Sequence, residues 1–205
     1  MQKIKIINYG MGNIGSVVKK IKKIGFEPFI ATAGKDLQNA DKIILPGVGH
    51  FGTGIGNLKK LELWDALNES VLIRKIPILG ICLGMQLFAD FSEEGDSQGL
   101  GWINGKVIRF RITDTKNFKI PHTGWNTINI KQNSMLFENV PVDSEFYFVH
   151  SYHFLSKNEN EIISTTNYCY EFTSAVQKDN IFGVQFHPEK SHDSGERLLL
   201  NFLNT

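Results

Sequence analysis

The first half of the chain alternates short, unbroken apolar runs with segments of helical period. The runs are "KIKIIN" (3–8), "EPFIA" (27–31), "KIILPG" (42–47) and "IPILGICLG" (76–84). Between them lie Asn13 to Ile24, with Val17, Val18, Ile21 and Ile24 on one stripe and Gly25 as its stop, and the segment Leu58 to Leu72. This alternation predicts βαβ units, hence an α/β fold with a mostly parallel, doubly wound central sheet. The runs at 43–45 and 78–81 show no polar alternation, as expected of central strands buried on both faces. A sheet of this kind places its site at the carboxyl ends of its strands.

From about Gly99 the pattern changes to period two, in "GKVIRFRI", "NTINIK", "EFYFVHSYHF" and "FTSAVQ". These segments predict additional, largely antiparallel strands in the C-terminal half. The closing "DSGERLLLNFLN" predicts a helix capped by Asp193 or Ser194, with Leu198, Leu199, Phe202 and Leu203 turned inward. With no repeat, low-complexity stretch or linker, residues 1–205 are expected to form a single domain.

Composition narrows the function classes. The 22 basic and 21 acidic side chains leave a net charge of +1, and only Arg74, Arg109, Arg111 and Arg197 are arginines, so no nucleic-acid footprint is expected. The lysines in "VVKKIKKIG" alternate with apolar positions at helical spacing and predict a solvated helix face. No apolar run approaches a membrane span, and "KIKIIN" after Met1 is too short and strand-like for a signal peptide, so a cytoplasmic protein is expected. Cys82 and Cys169 make no disulfide framework, and the sequon at Asn68 carries no weight in that compartment.

Gly10, Gly12 and Gly15 in "IINYGMGNIGSV" have the GxGxxG spacing of a dinucleotide loop. The acid that would grip a ribose at the end of the second strand is missing: that strand ends in Ala31, Thr32 and Ala33, with Glu27 at its start and Asp36 beyond it. A stronger signal is "LGICLGMQ", Leu79 to Gln86. Here Cys82 stands between Gly80 and Gly84, after a buried strand and before a helical segment, the arrangement of a nucleophile elbow. A helix starting near Leu83 would aim its amides at the sulfur. "VQFHPEKS" supplies a base and its orienter, since His187 and Glu189, two apart in an extended segment, share a face. "LPGVGHFGTGIG" reads as a glycine-rich loop in which amides near Gly47 and Val48, with that of Leu83, form an oxyanion hole. Without a GK[ST] ending it is no phosphate loop. No Cys pair or HExxH points to a metal. His150 and His153 are expected on opposite sides of one strand, His192 without partners, and Cys169 in packing.

The set "LPGVGHF", "GICLGMQ" and "VQFHPEKS", in this order, resembles the class I (triad) glutamine amidotransferases. "NYGMGNIGSV", "FSEEGDSQGLGWINGKVIRF", "IPHTGWN" and "YFVHSYHF" extend the resemblance over the whole chain to the glutaminase subunits of imidazole glycerol phosphate synthases. The resemblance implies a flavodoxin-like fold and glutamine hydrolysis through a thioester on Cys82, with His187 as base and Glu189 as its orienter, and no cofactor. It implies Gln86, Glu94, Ser151 and Tyr152 as glutamine contacts. It further implies a (β/α)8-barrel cyclase partner that receives the ammonia, met by Asn13, Trp125, Asn126 and Lys190. Thr123, where the family more often has Met, and Phe91 are small departures. They keep open a paralogue that feeds a cyclase-like partner in surface-glycan or amidino-sugar synthesis.

Overall fold

The computed structural model describes residues 2–205. Its elements in chain order are β1 (Ile4–Ile7), α1 (Ile14–Lys23), β2 (Pro28–Ala31), β3 (Lys42–Gly47), α2 (Phe51–Lys60), α3 (Leu63–Asn68), β4 (Ile78–Cys82) and α4 (Leu83–Gln86). The second half adds β5 (Phe91–Ser92), β6 (Ser97–Gln98), β7 (Gly105–Arg109), β8 (His122–Thr127), β9 (Asn129–Ile130), β10 (Glu145–His150) and β11 (Tyr152–Ser156). It ends with β12 (Ile162–Tyr168), β13 (Tyr170–Lys178), β14 (Ile181–Val184) and α5 (His192–Leu203). Strands β2-β1-β3-β4-β14 are mutually parallel, and the sheet continues antiparallel through β13, β11 and β7. The parallel part has the flavodoxin-like order, as the sequence pattern and its resemblance led us to expect.

Burial explains the two textures. Every residue of β3 and β4 is buried, because helices cover both faces of the parallel part. Ile43, Leu45 and Ile78 pack with Phe51, Leu58, Leu63 and Leu67 of α2 and α3. Ile4, Ile6, Ile44 and Leu79 face the other way, onto Val17 and Ile21 of α1 and Leu198, Leu199 and Phe202 of α5. Lys19, Lys22 and Lys23 of α1 are exposed, as expected of a solvated face, whereas Lys20 is partly buried against Glu196 of α5, at 2.8 Å.

Four sequence expectations are corrected. The glycine-rich stretch is not all loop, because Phe51–Lys60 is helical and contains Gly52, Gly54 and Gly56. Close packing outweighs the poor helix propensity of glycine: a Cβ on Gly52 would lie 2.8 Å from the Ser97 hydroxyl. The helix expected from Leu58 to Leu72 is instead broken at Glu62, whose φ is +56°. "EFYFVHSYHF" is two strands in two sheets: β10 pairs with β8 in a separate hairpin-like sheet, while β11 joins β7 and β13. His150 and His153 thus lie on different strands, and both rings pack against Phe110, at 5.2 and 4.8 Å. The last helix starts at His192, ahead of the expected caps, and Ser191 before it makes no cap bond because its hydroxyl is engaged with the His187 carbonyl and the Tyr147 amide.

The opening glycines serve packing. Gly10 and Gly12 have φ of +80° and +108°, and a Cβ on Gly12 would come within 3.1 Å of the Gly47 Cα. The turn out of β1 is thereby pressed against the end of β3, and Asn13 caps α1 by accepting from the Ser16 amide at 3.1 Å.

The tightest backbone contact in the fold lies under the elbow, where a Cβ on Gly84 would be 1.7 Å from the Leu45 carbonyl oxygen. Gly84→Ala is therefore expected to lower stability by about 3 kcal/mol, measured as the urea midpoint, whereas Gly56→Ala, in open space on α2, should raise it by about 0.5 kcal/mol.

Candidate active site

Strand β4 delivers Cys82 to the carboxyl edge of the sheet in a left-handed conformation, φ +55° and ψ −110°. The elbow closes because Gly80 and Gly84 leave room: a Cβ on Gly80 would lie 2.6 Å from the Phe88 ring. α4 is a single turn, shorter than the helix expected to aim its dipole at the sulfur. Only the amides of that one turn face the nucleophile, since the macrodipole grows with helix length.

The neighbouring parallel strand β14 ends at Val184 and carries the chain to His187. His187 and Glu189 meet, as expected, with Nδ1 2.8 Å from Oε1. The route differs from the alternation of an extended strand, since Pro188–Lys190 is a 3₁₀ turn that folds Glu189 back onto the ring. Ser191 locks this turn, donating to the His187 carbonyl at 2.6 Å and accepting from the Tyr147 amide at 3.0 Å. Both His187 and Glu189 are buried. Burial alone disfavours a charged imidazole, but the Cys82 sulfur and the Glu189 carboxylate outweigh it and push the His187 pKa up to about 10. The Nε2 atom of His187 makes no hydrogen bond within the described residues, so it is open to exchange a proton with sulfur or substrate.

A cavity of about 300 Å³ opens above Cys82, lined in part by Val48, Gly49, Leu83, Gln86, Glu94, Ser151 and Tyr152. The structure thus gathers Cys82, two of the three expected oxyanion residues and all four expected glutamine contacts around one cavity. The remaining one, Gly47, lies opposite Cys82 in the β3–β4 register and lines a narrow crevice on the far side. Gly49, with φ +114°, occupies the cavity wall instead and was not singled out from the sequence. Gln86 is buried, and both hydrogens of its amide are spent, on the Tyr152 carbonyl and on Gln185 Oε1, each at 2.9 Å. Only its Oε1 is left to accept from a ligand. Glu94 Oε2 accepts from the Phe51 amide at 2.8 Å, at the N-terminus of α2, which leaves Oε1 for an ammonium group.

Two further residues escaped the sequence reading. Gln185 is fully buried and its Nε2 lies 3.5 Å from the Cys82 sulfur. Tyr9 is also fully buried, its hydroxyl without a partner among the described residues and placed where a Cβ on Gly47 would be only 2.2 Å away. Burial, reinforced by the Cys82 charge, raises its pKa and keeps the phenol protonated. Each lies just past a strand end, β1 for Tyr9 and β14 for Gln185, and nothing in the neighbouring residues marks it as part of the site.

The crevice behind the triad is lined by Asn13, Gly47, Val48, His187, Glu189 and Lys190. Beside it lies an aromatic surface. Trp125, 42% exposed, stacks on His192 with ring centroids 4.7 Å apart, and Lys190 sits 5.3 Å above the Tyr147 ring. His192 therefore does have a partner, contrary to the reading from the sequence. Asn126 alternates to the opposite face of β8 from Trp125 and donates to the Asn167 carbonyl at 3.0 Å. Cys169 is unpaired and half-buried against the aromatic core, in keeping with packing. Among the described residues no group of three metal-ligating side chains comes together, and no helix is long and apolar enough to cross a membrane.

Residues 5–205 match the family described as glutamine amidotransferase class-I. The chain is 51% identical to the imidazole glycerol phosphate synthase subunit HisH 2 of Methanococcus maripaludis, over 98% of each chain. It is 43% identical to the subunit of the same name from Pseudomonas aeruginosa, again over 98% of each. Among solved structures, one described as a glutamine amidotransferase superposes with a TM-score of 0.75 over 98% of this chain and 97% of the other, at 18% identity, a likeness of fold.

The raised pKa of His187 has a consequence for stability. A charged His187 stabilises the fold fully below pH 6.5, and that contribution is lost as pH rises toward about 10. Glu189→Gln removes one of the groups that hold the proton. The fall in urea midpoint across this window should be smaller in the variant than in the parent; an equal fall would mean that Glu189 does not hold the imidazolium.

Proposed function

The chain belongs to the class I glutamine amidotransferases, and from that premise we propose that it is the glutaminase subunit of an imidazole glycerol phosphate synthase, with Cys82, His187 and Glu189 as its catalytic triad. The observation that carries the assignment of residues is the left-handed Cys82 at the mouth of the cavity, with the buried His187–Glu189 pair on the adjacent strand. The near full-length identity to subunits named HisH supports the choice of synthase.

The chemistry follows from the geometry. Glutamine enters with its carboxamide toward Cys82, its α-amino group at Glu94 and its α-carboxylate at the backbone of Ser151 and Tyr152. His187 already carries the proton at neutral pH, so the Cys82 sulfur attacks the carboxamide carbon as a thiolate paired with the imidazolium. The resulting oxyanion is stabilised by amides at Val48 and Leu83, with Gly47 holding the strand behind them; one such donor contributes about 3 kcal/mol in a transition state. Collapse of the intermediate expels ammonia, which takes its proton from His187, and leaves a glutamyl thioester. Water, deprotonated by the same nitrogen, then cleaves the thioester to glutamate. Glu189 keeps Nδ1 protonated throughout and stabilises the imidazolium.

Ammonia released here would be wasted in solvent. We read the crevice lined by Asn13 and Lys190 as its exit, because Lys190 also lies against Tyr147 of the Trp125–His192–Tyr147 surface. We assign that surface, with Asn13, Trp125 and Lys190 around it, to a (β/α)8-barrel cyclase that uses the ammonia to form the imidazole ring; Asn126, expected there from the sequence, lies on the opposite face of β8. The two unpaired cysteines accord with work in the cytoplasm. A second reading, a paralogue serving another cyclase-like partner in glycan synthesis, is favoured by the numbering of the relatives as HisH 2.

Purified chain incubated with glutamine is expected to release glutamate slowly. Addition of the histidine-pathway cyclase and its nucleotide should accelerate release by about tenfold or more, a coupling of ordinary size for two linked sites. Cys82→Ala should lose at least about a thousandfold of the stimulated rate. Indifference to that cyclase, with a response to another partner, would establish the paralogue instead.

A further inference from the structure

A chain of buried polar groups runs from β8 to the glutamine cavity, and its outer members, His122 and His150, take part in none of the hydrolysis steps. His122 on β8 and His150 on β10 face each other in the strand register, both buried, with His122 Nδ1 3.1 Å from His150 Nε2. His150 Nδ1 lies 2.7 Å from the Tyr152 carbonyl. That same carbonyl accepts from Gln86, which also donates to Gln185, which in turn donates to the Cys82 sulfur. At the outer end, the Asn126 amide nitrogen approaches His122 Nε2 at 3.5 Å, the longest of these contacts apart from the one to sulfur.

The directions in this chain are forced. A carbonyl only accepts, so His150 must carry its proton on Nδ1, and its Nε2 must accept. His122 then carries its proton on Nδ1 and leaves Nε2 to accept from Asn126. Burial supports the neutral state of both rings: it lowers the His122 pKa to about 4 and that of His150 well below its ordinary range. His122 cannot turn away, because it is stacked between Tyr168 at 4.0 Å and Phe148 at 4.9 Å. A buried pair held this way has the features of a support for other groups, since neither ring touches the reacting atoms.

We propose that His122 and His150 are positioning residues, a tautomer-fixed relay that holds the Tyr152 carbonyl and, through Gln86 and Gln185, the Cys82 sulfur in register with the bound glutamine. The proposal rests on the glutaminase reading of the site. It adds a specific role for two histidines that carry no proton in the reaction. Their place between Asn126 and Cys82 also gives the β8 surface a physical line to the nucleophile, built of oriented donors and acceptors.

The test combines imidazole ¹⁵N NMR of the full chain without glutamine and glutamine kinetics of the complex with its cyclase. Both rings are expected as neutral Nδ1–H tautomers from about pH 6 to 8. His122→Phe keeps the aromatic stack and deletes both nitrogens. It should fold with a single cooperative urea transition and lower kcat/KM for glutamine about tenfold. His122→Asn, which returns an amide hydrogen toward His150, should recover most of the loss. An Nε2–H or charged His150 in the parent chain overturns the relay, as does a His122→Phe variant with unaltered kcat/KM. Because the tautomers are read without substrate, failure of the relay and failure of the glutaminase reading appear in different measurements.

Discussion

The close approach of the α4 backbone to the end of β3 is the constraint on which the site depends. With the Leu45 carbonyl occupying the space where any side chain at position 84 would begin, the chain can turn from β4 into α4 within a single residue. That residue is Cys82, and its positive φ turns it out of the strand to the wall of the cavity, where it remains buried. A backbone in this conformation costs of order 1–3 kcal/mol and persists only where its surroundings over-determine it. Here the fully buried strands on either side, β3 and β14, supply that rigidity.

The same parallel pairing sets the chemistry. Because β3, β4 and β14 are adjacent and run in one direction, their carboxyl ends bring the Val48–Gly49 loop, Cys82 and His187 to a single edge. The charges needed for catalysis are then managed by burial. His187 is deeply placed, and its charge survives only because Glu189 and the sulfur compensate what water no longer supplies. His122 and His150 stand in the opposite regime, with no acid beside them, so desolvation keeps them neutral and able to accept as well as donate. One fold thus holds a protonated histidine and two neutral ones within a short span of strands β8 to β14.

The two ends of the site face different solvents. The cavity over Cys82 is mixed in lining, with apolar Val48, Leu83 and Val149 beside Gln86 and Glu94, each of which keeps one oxygen free after meeting the fold's own demands. The crevice on the other side is narrow and passes between Asn13 and Lys190. Asn13 combines two tasks, capping α1 and bordering the crevice, which is why a loop with dinucleotide spacing need hold no phosphate.

The alternation of apolar runs with helical stripes was enough to determine the doubly wound sheet, and Gly80, Cys82 and Gly84 were enough to determine the elbow, because each leaves a local mark in the sequence, a periodicity in the first case and small residues flanking the nucleophile in the second. His187 and Glu189 were also legible as a pair, although a 3₁₀ turn and not strand alternation joins them. The helical state of Gly52 to Gly56, the break at Glu62 and the division of "EFYFVHSYHF" between two sheets were not, since each is decided by packing against segments distant in the chain. Gln185, Tyr9 and the His122–His150 pair belong to the same class. A buried polar residue acquires its role from the partner that tertiary structure places against it, and local pattern carries no record of that partner.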